Sequence, residues 1–220
     1  GVTTVGGVAT VGTVSAGTLN LNGASATVGV LNGGSLNLGG SNTLTVSGGY
    51  SAGTINGAGA LVKDSGATLT LSGVNTFSGP TNVDAGILTL SGGSALINSM
   101  AVTVSAGGTL KLASSEEIGS LAGAGAVNLQ GNVLSVLGGV DTTYSGLMSG
   151  AGSLVKTGSA VFTMSGANTF SGGVTLSEGA IQVGDNAALG TGTVTFSAGR
   201  ISSDSATARS LANEFAMSGT

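Results

Sequence analysis

Few residues of this chain have side chains that catalyse reactions or bind metals. The 220 residues include nine Asp or Glu and five Lys or Arg, and neither His nor Cys occurs. A Ser/His/Asp triad, a Cys–His pair and a zinc site with His or Cys ligands are therefore excluded. We expect no cofactor and no catalytic or metal site. The nine acids are Asp64, Asp84, Glu116, Glu117, Asp141, Glu178, Asp185, Asp204 and Glu214.

Carboxylates alone support one further kind of chemistry, the hydrolysis of polysaccharides by paired acids. The acids of this chain are scattered, and most stand beside Gly, Ser or Asn in turn-like segments. The one doublet is Glu116-Glu117, which we interpret as a solvated bulge rather than a cation site. Calcium-binding β-rolls need Gly-Gly-x-Gly-x-Asp nonapeptides, and none is present. A polysaccharide-active enzyme is therefore the least favoured alternative.

The charge pattern also argues against a nucleic-acid partner. The net charge is −4, and the five basic residues do not cluster into a track for phosphates. Gly-Ala-Gly occurs at Gly57, Gly123 and Gly150, but none of these extends to the Gly-x-Gly-x-x-Gly of a nucleotide-binding loop. We interpret all three as turns.

The composition of the chain is unusual and restricts the kind of structure that can position these residues. Glycine supplies 43 of 220 residues, charged residues make up 6%, and Pro80 is the single proline. Apolar residues reach 40%, which excludes a disordered acidic chain, and one proline cannot support a collagen helix. Apolar runs are too short for a transmembrane helix.

A duplicated segment organises the chain. Residues 59–79 and 152–172 align without a gap, and their shared residues lie 93 positions apart. Weaker echoes of the Phe-Ser-Gly in each copy occur at Tyr50 and Tyr144, 27 and 26 positions before a Phe of that motif. Such spacings are typical of a solenoid. The most specific shared pairs are Lys63 with Lys156, Asn75 with Asn168, and Phe77 with Phe170.

Within the copies, apolar and polar residues alternate, as in Leu69-Thr-Leu71 and Leu88-Thr-Leu90. A period of two predicts short strands with one buried face, and the glycine-rich turns between them suit a chain that bends about three times per circuit. With roughly 20–27 residues per circuit, we predict an all-β fold, a parallel β-helix of roughly ten rungs. No composition shift divides residues 1–220, so we expect one continuous element.

The pattern also predicts where individual residues lie. We expect Lys63 and Lys156 to lie at strand ends facing water, and Asn75 and Asn168 to form turns followed by the buried rings of Phe77 and Phe170. Residues 113–121 break the alternation and are expected to bulge, and we favour strand over a short helix for residues 203–217.

Residues 57–90 and 150–183 resemble the passenger-associated β-strand repeat of bacterial autotransporters. The resemblance lies in Gly-Ala-Gly-x-Leu-Val-Lys, then Leu-Thr-Leu-Ser-Gly-x-Asn-Thr-Phe-Ser-Gly in the first copy, then Gly-x-Leu-x-Leu. It implies a right-handed parallel β-helix that is secreted across the outer membrane and displayed on, or released from, the cell. It also implies an outer-membrane barrel in the full-length protein. Pro80 stands where the second copy has Gly173.

These observations favour an extracellular structural or adhesive solenoid without catalysis. Since neither end resembles a cap, we expect a piece of a longer chain, or copies that stack end to end into a fibre. A further alternative is an ice- or surface-binding solenoid, suggested by Thr68-Leu-Thr70 and Thr193-Val-Thr195. The ligand or receptor on a host cell is not identified by any residue pattern.

Overall fold

Short strands make up the regular structure of the chain. The computed structural model describes residues 1–98, 100–205 and 207–218. Within these ranges there are 23 strands and no helix, so none that could cross a membrane. In chain order the strands are β1 Val2–Thr4, β2 Ala9–Val14, β3 Thr18–Asn20, β4 Ala26–Asn32, β5 Ser35–Asn37, β6 Thr43–Ser51, β7 Ile55–Asn56, β8 Ala60–Leu71, β9 Thr81–Leu90, β10 Ala101–Leu112, β11 Glu116–Ile118, β12 Ser120–Gly123, β13 Ala126–Asn128, β14 Val133–Val136, β15 Thr142–Tyr144, β16 Met148–Ser149, β17 Ser153–Lys156, β18 Val161–Met164, β19 Val174–Leu176, β20 Ala180–Val183, β21 Val194–Phe196, β22 Arg200–Ser203 and β23 Phe215–Met217.

The strands stack in parallel into a β-solenoid of about 11 turns, which confirms the predicted fold class. Paired residues are separated by one circuit of chain. This separation is 16 positions between Val2 and Thr18 and rises to 22 between Leu88 and Leu110. The circuits thus lie at the lower end of the 20–27 residues expected or below it. The Tyr and Phe echoes that suggested the longer period do not stack on one another.

Three faces surround the core, and the chain visits them in the same order in each circuit. The first face contains the ladder Leu61, Thr81, Val102 and Leu121. The second face contains the ladder Leu69, Leu88, Leu110, Val127 and Met148. The third face is formed by β1, β3, β5 and β7 and, further along the chain, by β11, β14, β17, β19, β21 and β23.

Strands β6, β8, β9 and β10 each run over two faces. Their ladders shift register at the bend between the first and second faces, for example between Val104 and Gly107 in β10. After β10 the two faces have separate strands, since β12 pairs with its first part and β13 with its second part. The bend therefore sharpens into a corner along the chain.

Alternation along each strand builds the core. On the third face, Leu134, Leu154 and Val174 lie on successive turns and are fully buried or nearly so. The residue that follows each of them in its strand faces outward. Stacked at the spacing of about 4.8 Å between paired strands, mostly aliphatic side chains fill the narrow interior. The hydrophobic core is thus a column parallel to the axis.

Each of the three Gly-Ala-Gly segments forms a corner after a different face of the solenoid. Gly57 follows the third face, Gly123 follows the first and Gly150 follows the second, with φ angles of 106°, 108° and 106°. A Cβ at any of them would lie within 2.8 Å of backbone in the preceding turn. Glycine is required here by both its backbone angle and the close approach of neighbouring turns. The three corners are therefore built alike.

Two local expectations need correction. Residues 203–217 are not continuous strand, since the described residues between β22 and β23 are irregular. Residues 113–121 contain the short strands β11 and β12 rather than a bulge. Tyr50 also differs from its supposed counterparts, because its side chain is 53% exposed, whereas Tyr144 is fully buried and its hydroxyl donates a hydrogen bond to the carbonyl of Gly125 at 2.8 Å.

Candidate functional site: the buried polar residues of the duplicated segment

The two copies of the duplicated segment occupy different faces of the solenoid. Lys63 stands on the first face, in register with Val83, whereas Lys156 stands on the third face, in register with Leu176. The following segments keep this displacement, since residues 69–71 lie on the second face and residues 162–164 on the first. Over the 93 positions from one copy to the other, the chain thus completes four full circuits and then advances by two more faces. Equivalent residues of the copies point in different directions around the axis.

The paired asparagines nevertheless make the same contacts. Asn75 is 2% exposed, and its Oδ1 accepts a hydrogen bond from the Ile55 amide at 2.8 Å, while its Nδ2 donates to the carbonyl of Ala95 at 2.7 Å. One side chain thereby connects the preceding turn to the following one. A primary amide has the donor and acceptor of a peptide group, so it can replace a strand in the ladder.

Asn168 repeats this arrangement on the second face. Its Oδ1 accepts from the Met148 amide at 2.7 Å, and its Nδ2 donates to the carbonyl of Ala188 at 2.6 Å. Both asparagines follow a strand of only two residues in the preceding turn, β7 or β16. The ladder has no strand at these positions, and the amide side chain takes its place. Asn75 and Asn168 were predicted to lie in turns, but their bridges between neighbouring turns were not predicted.

The two phenylalanines complete the bend after each asparagine. Phe77 and Phe170 are fully buried. The Phe77 amide donates to the Ile55 carbonyl at 3.2 Å, while the Phe170 carbonyl accepts from the Thr191 amide at 2.9 Å. Both rings belong to the hydrophobic core. The bend is therefore held by an amide bridge and a buried ring together.

Lys63 is fully buried, so the expectation that it faces water was wrong. The alternation of the strand explains this placement, because Lys63 has the same phase as the buried Leu61. Its ammonium group donates to the carbonyls of Ser65 and of Ala85, the latter at 3.1 Å in the following turn. The ladder between β8 and β9 shifts register at Lys63, and the ammonium group satisfies carbonyls at that shift. Burial lowers the pKa of Lys63, and the neighbouring Asp64 opposes that shift.

Lys156 is also fully buried, and the same expectation was wrong for it. Its ammonium group donates to the carbonyls of Thr157 and Gly158, both in its own corner. Gly138 of the preceding turn lies beside it, where a Cβ would be 2.5 Å from Nζ. Burial lowers the pKa of Lys156, while Glu178 and Asp141 raise it. Unlike Lys63, Lys156 makes no hydrogen bond to a neighbouring turn within the described residues.

Glu116 is a buried polar residue, so the prediction that it lies in a solvated bulge was wrong. It is 4% exposed, and its carboxylate accepts hydrogen bonds from the amides of Ala95 at 3.3 Å and Leu96 at 2.8 Å. On the third face, the side chains of Asn75 and Glu116 therefore bridge the turns between β7 and β11. Burial raises the pKa of Glu116, and the two amides oppose that shift. Its alternation with the buried Ile118 was the available signal.

No cluster of acids emerges among the described residues. No group of three or more Asp or Glu lies close enough to hold a metal ion there. A shallow, open depression on the first face is lined by Asp141, Thr143, Thr163 and Gln182, and the Asp141 carboxylate accepts from the Val161 amide at 2.8 Å. Its lining contains no second carboxylate. The polar side chains described above thus form hydrogen bonds between turns, and the described acids do not form a group that could hold a metal ion.

The two Thr-x-Thr segments do not form one grid. Thr68 and Thr70 flank Leu69 on the second face, whereas Thr193 and Thr195 flank Val194 on the third. The regular two-dimensional array that an ice-binding surface needs is therefore absent from these four residues.

Comparison with protein families identifies the duplicated segment. The model of the passenger-associated-transport-repeat matches residues 61–90 and again residues 154–183. The chain carries two passenger-associated-transport-repeats. These repeats and the β-solenoid fold fit a passenger segment of an autotransporter. Searches among curated proteins and among solved structures gave no match.

The matched ranges coincide with the buried bridges described above. Each repeat begins two residues before its lysine and includes the asparagine and the phenylalanine. In both repeats these side chains point into the solenoid, although the two repeats start on different faces. The specific residues of the repeat are thus engaged in contacts between or within turns.

Proposed function

We propose that this chain is a non-catalytic rod segment of an autotransporter passenger, displayed outside the cell. The observation that carries the proposal is the inward position of the repeat residues. Lys63, Asn75 and Phe77 are buried, and so are their equivalents in the second repeat. A repeat that binds a ligand would be expected to present equivalent residues on one surface. Equivalent residues of these two copies lie on different faces, and what they have in common is that they are buried.

The family of the repeat supports secretion to the cell surface. Backbone ladders between turns supply most polar contacts of the rod, so few charged residues are needed for its stability. The described residues contain a single salt bridge, between Arg209 and Asp204 at 3.1 Å. We infer that the segment contributes length and rigidity, and that any adhesive contact belongs to outward residues.

Whole cells producing the parent protein provide the test of this proposal. We expect external protease to remove the segment from intact cells, and we expect Asn75→Ala to reduce the amount displayed. Asn82→Ala is the matched control, because Asn82 lies in the same repeat but faces outward and its side chain makes no hydrogen bond to a described residue. Protection of the segment until the cells are broken would contradict display. Turnover of a polysaccharide that disappears in an Asp or Glu variant would contradict a non-catalytic role.

A further inference from the structure

The first turns of the solenoid lack charged side chains altogether. Residues 1–62 contain no Asp, Glu, Lys or Arg, so all 14 charged side chains of the chain follow. Like-charged surfaces repel one another, and a net charge far from zero keeps proteins apart. Two copies that meet through residues 1–62 would bring no like side-chain charges together.

The third face of these turns carries a column of asparagines. Asn20 pairs in register with Asn37, and Asn37 pairs with Asn56. Asn37 is exposed and the other two are half-buried, in contrast to the buried Asn75 of the repeat. Adjacent members are one strand spacing apart, about 4.8 Å. Thr18 and Ser35 form a second outward column beside them.

The amides at the two ends of this column are available to a partner. The side chains of Asn20 and Asn56 make no hydrogen bond to any described residue, whereas Asn37 Oδ1 accepts from the Gly39 amide at 3.1 Å. The Nδ2 of Asn37 has no protein acceptor among the described residues. A primary amide both donates and accepts, so a row of amides is complementary to a second row of the same kind.

We propose that this asparagine column is a self-association surface whose partner is a second copy of the chain, packed side by side and antiparallel. A two-fold axis through Asn37 would place Asn37 opposite its equivalent and Asn20 opposite Asn56 of the other copy. The equal step of one turn on either side of Asn37 satisfies this symmetry. An isologous contact needs a self-complementary patch, and amides provide one without charge. In-register asparagine ladders also pack well against each other in stacked sheets.

The contact is small, and its strength follows from that size. A face of three turns and three-residue strands is far below the roughly 800 Å² per partner of a standard interface. Association in solution is therefore weak. Multiple copies on two opposing surfaces would strengthen it by avidity. Only this last step rests on the proposed display at a cell surface.

Sedimentation of the purified chain over a wide concentration range tests the contact itself. We expect association that depends on concentration. Asn37→Asp should weaken it at least tenfold, since two carboxylates then meet at the axis, while the new carboxylate still accepts from the Gly39 amide. Thr27→Asp is the matched control, because it adds the same charge on the exposed first face of the same turns and should leave association unchanged. Circular dichroism and thermal midpoints show whether each variant remains folded.

A pair of double variants tests the antiparallel geometry. The double variant Asn20→Asp with Asn56→Asp should lose association, because each Asp faces another. The double variant Asn20→Lys with Asn56→Asp should regain it and become sensitive to salt, because each Lys then faces an Asp of the other copy. The proposal is overturned by a wild-type chain that stays monomeric, by equal effects of Asn37→Asp and Thr27→Asp, or by equal loss in both double variants. Since all of these measurements use the chain in solution, their failure would leave display at the cell surface unaffected.

Discussion

The two passenger-associated-transport-repeats lie on different faces of the solenoid. Their asparagines make the same contacts, and their lysines make different ones. Asn75 and Asn168 each bridge three turns through nearly identical hydrogen bonds. Lys63 reaches the carbonyl of Ala85 in the next turn, whereas Lys156 binds only carbonyls of its own corner. The asparagine bridge is therefore independent of the face that carries it, and the lysine contact depends on the local corner. The asparagine contacts are thus common to the two repeats, and the lysine contacts differ between them.

The largest expected effect comes from the buried rings, which should behave alike in both repeats. Phe77→Ala and Phe170→Ala each remove a fully buried side chain and leave a cavity, at a cost of about 3–5 kcal/mol in the free energy of unfolding. Urea titration of the two variants measures this cost. A loss within this range for one variant and clearly below it for the other would show that the two faces are not equivalent.

The asparagine bridges should follow closely. Asn75→Ala leaves the Ile55 amide and the Ala95 carbonyl buried without partners, and Asn168→Ala does the same to Met148 and Ala188. Each unpaired group costs about 1–3 kcal/mol, so we expect a loss of at least about 2 kcal/mol in each variant. Hydrogen exchange of the Ile55 and Met148 amides should accelerate in the respective variants.

Asn82→Ala serves as the control for both bridge variants. Its side chain stands outward on the first face, and we expect a change within about 0.5 kcal/mol. Unchanged exchange at Ile55 in Asn75→Ala would mean that the amide does not depend on the bridge.

The fold was predictable from sequence because alternation and duplication are properties of the strands themselves. Apolar residues at alternate positions, together with glycine-rich corners, indicated a parallel solenoid. The upper end of the predicted period was too long, since Tyr50 and Tyr144 were aligned with phenylalanines that stand on other faces. The interior positions of the lysines and of Glu116 were missed because charge was taken as a sign of exposure. Their phase relative to Leu61, Leu154 and Ile118 carried the correct information.

The contacts made by those residues were beyond what phase alone predicts. Which carbonyl lies near an ammonium group depends on the register shift at each corner, and that shift arises from the packing of neighbouring turns. The bridging by Asn75 likewise depends on the two-residue strand in the preceding turn. Nothing in the sequence of the repeat itself specifies the length of that strand.

The lysines should reveal the difference between the repeats. Lys63→Met and Lys156→Met keep an unbranched side chain in the core but leave carbonyls without a donor. We expect a loss of about 1–3 kcal/mol for Lys63→Met, and a smaller loss for Lys156→Met, because only Lys63 connects two turns. Thermal unfolding of both variants checks the order. Equal losses would mean that the contact to Ala85 adds nothing to the carbonyls of the lysine's own corner.

The smallest expected effect concerns Glu116, which belongs to the bridges of the third face but carries a charge that Asn75 lacks. Burial raises its pKa above the ordinary value of 4.5, so the folded protein holds this proton more tightly than the unfolded chain does. Stability from this group is therefore present below pH 4.5 and is lost as the pH rises through the folded pKa. Glu116→Gln, which cannot ionise, should lose less stability than the wild type when urea midpoints at pH 4 and pH 7 are compared. Parallel midpoints in the two proteins would show that the carboxylate titrates as an exposed group does.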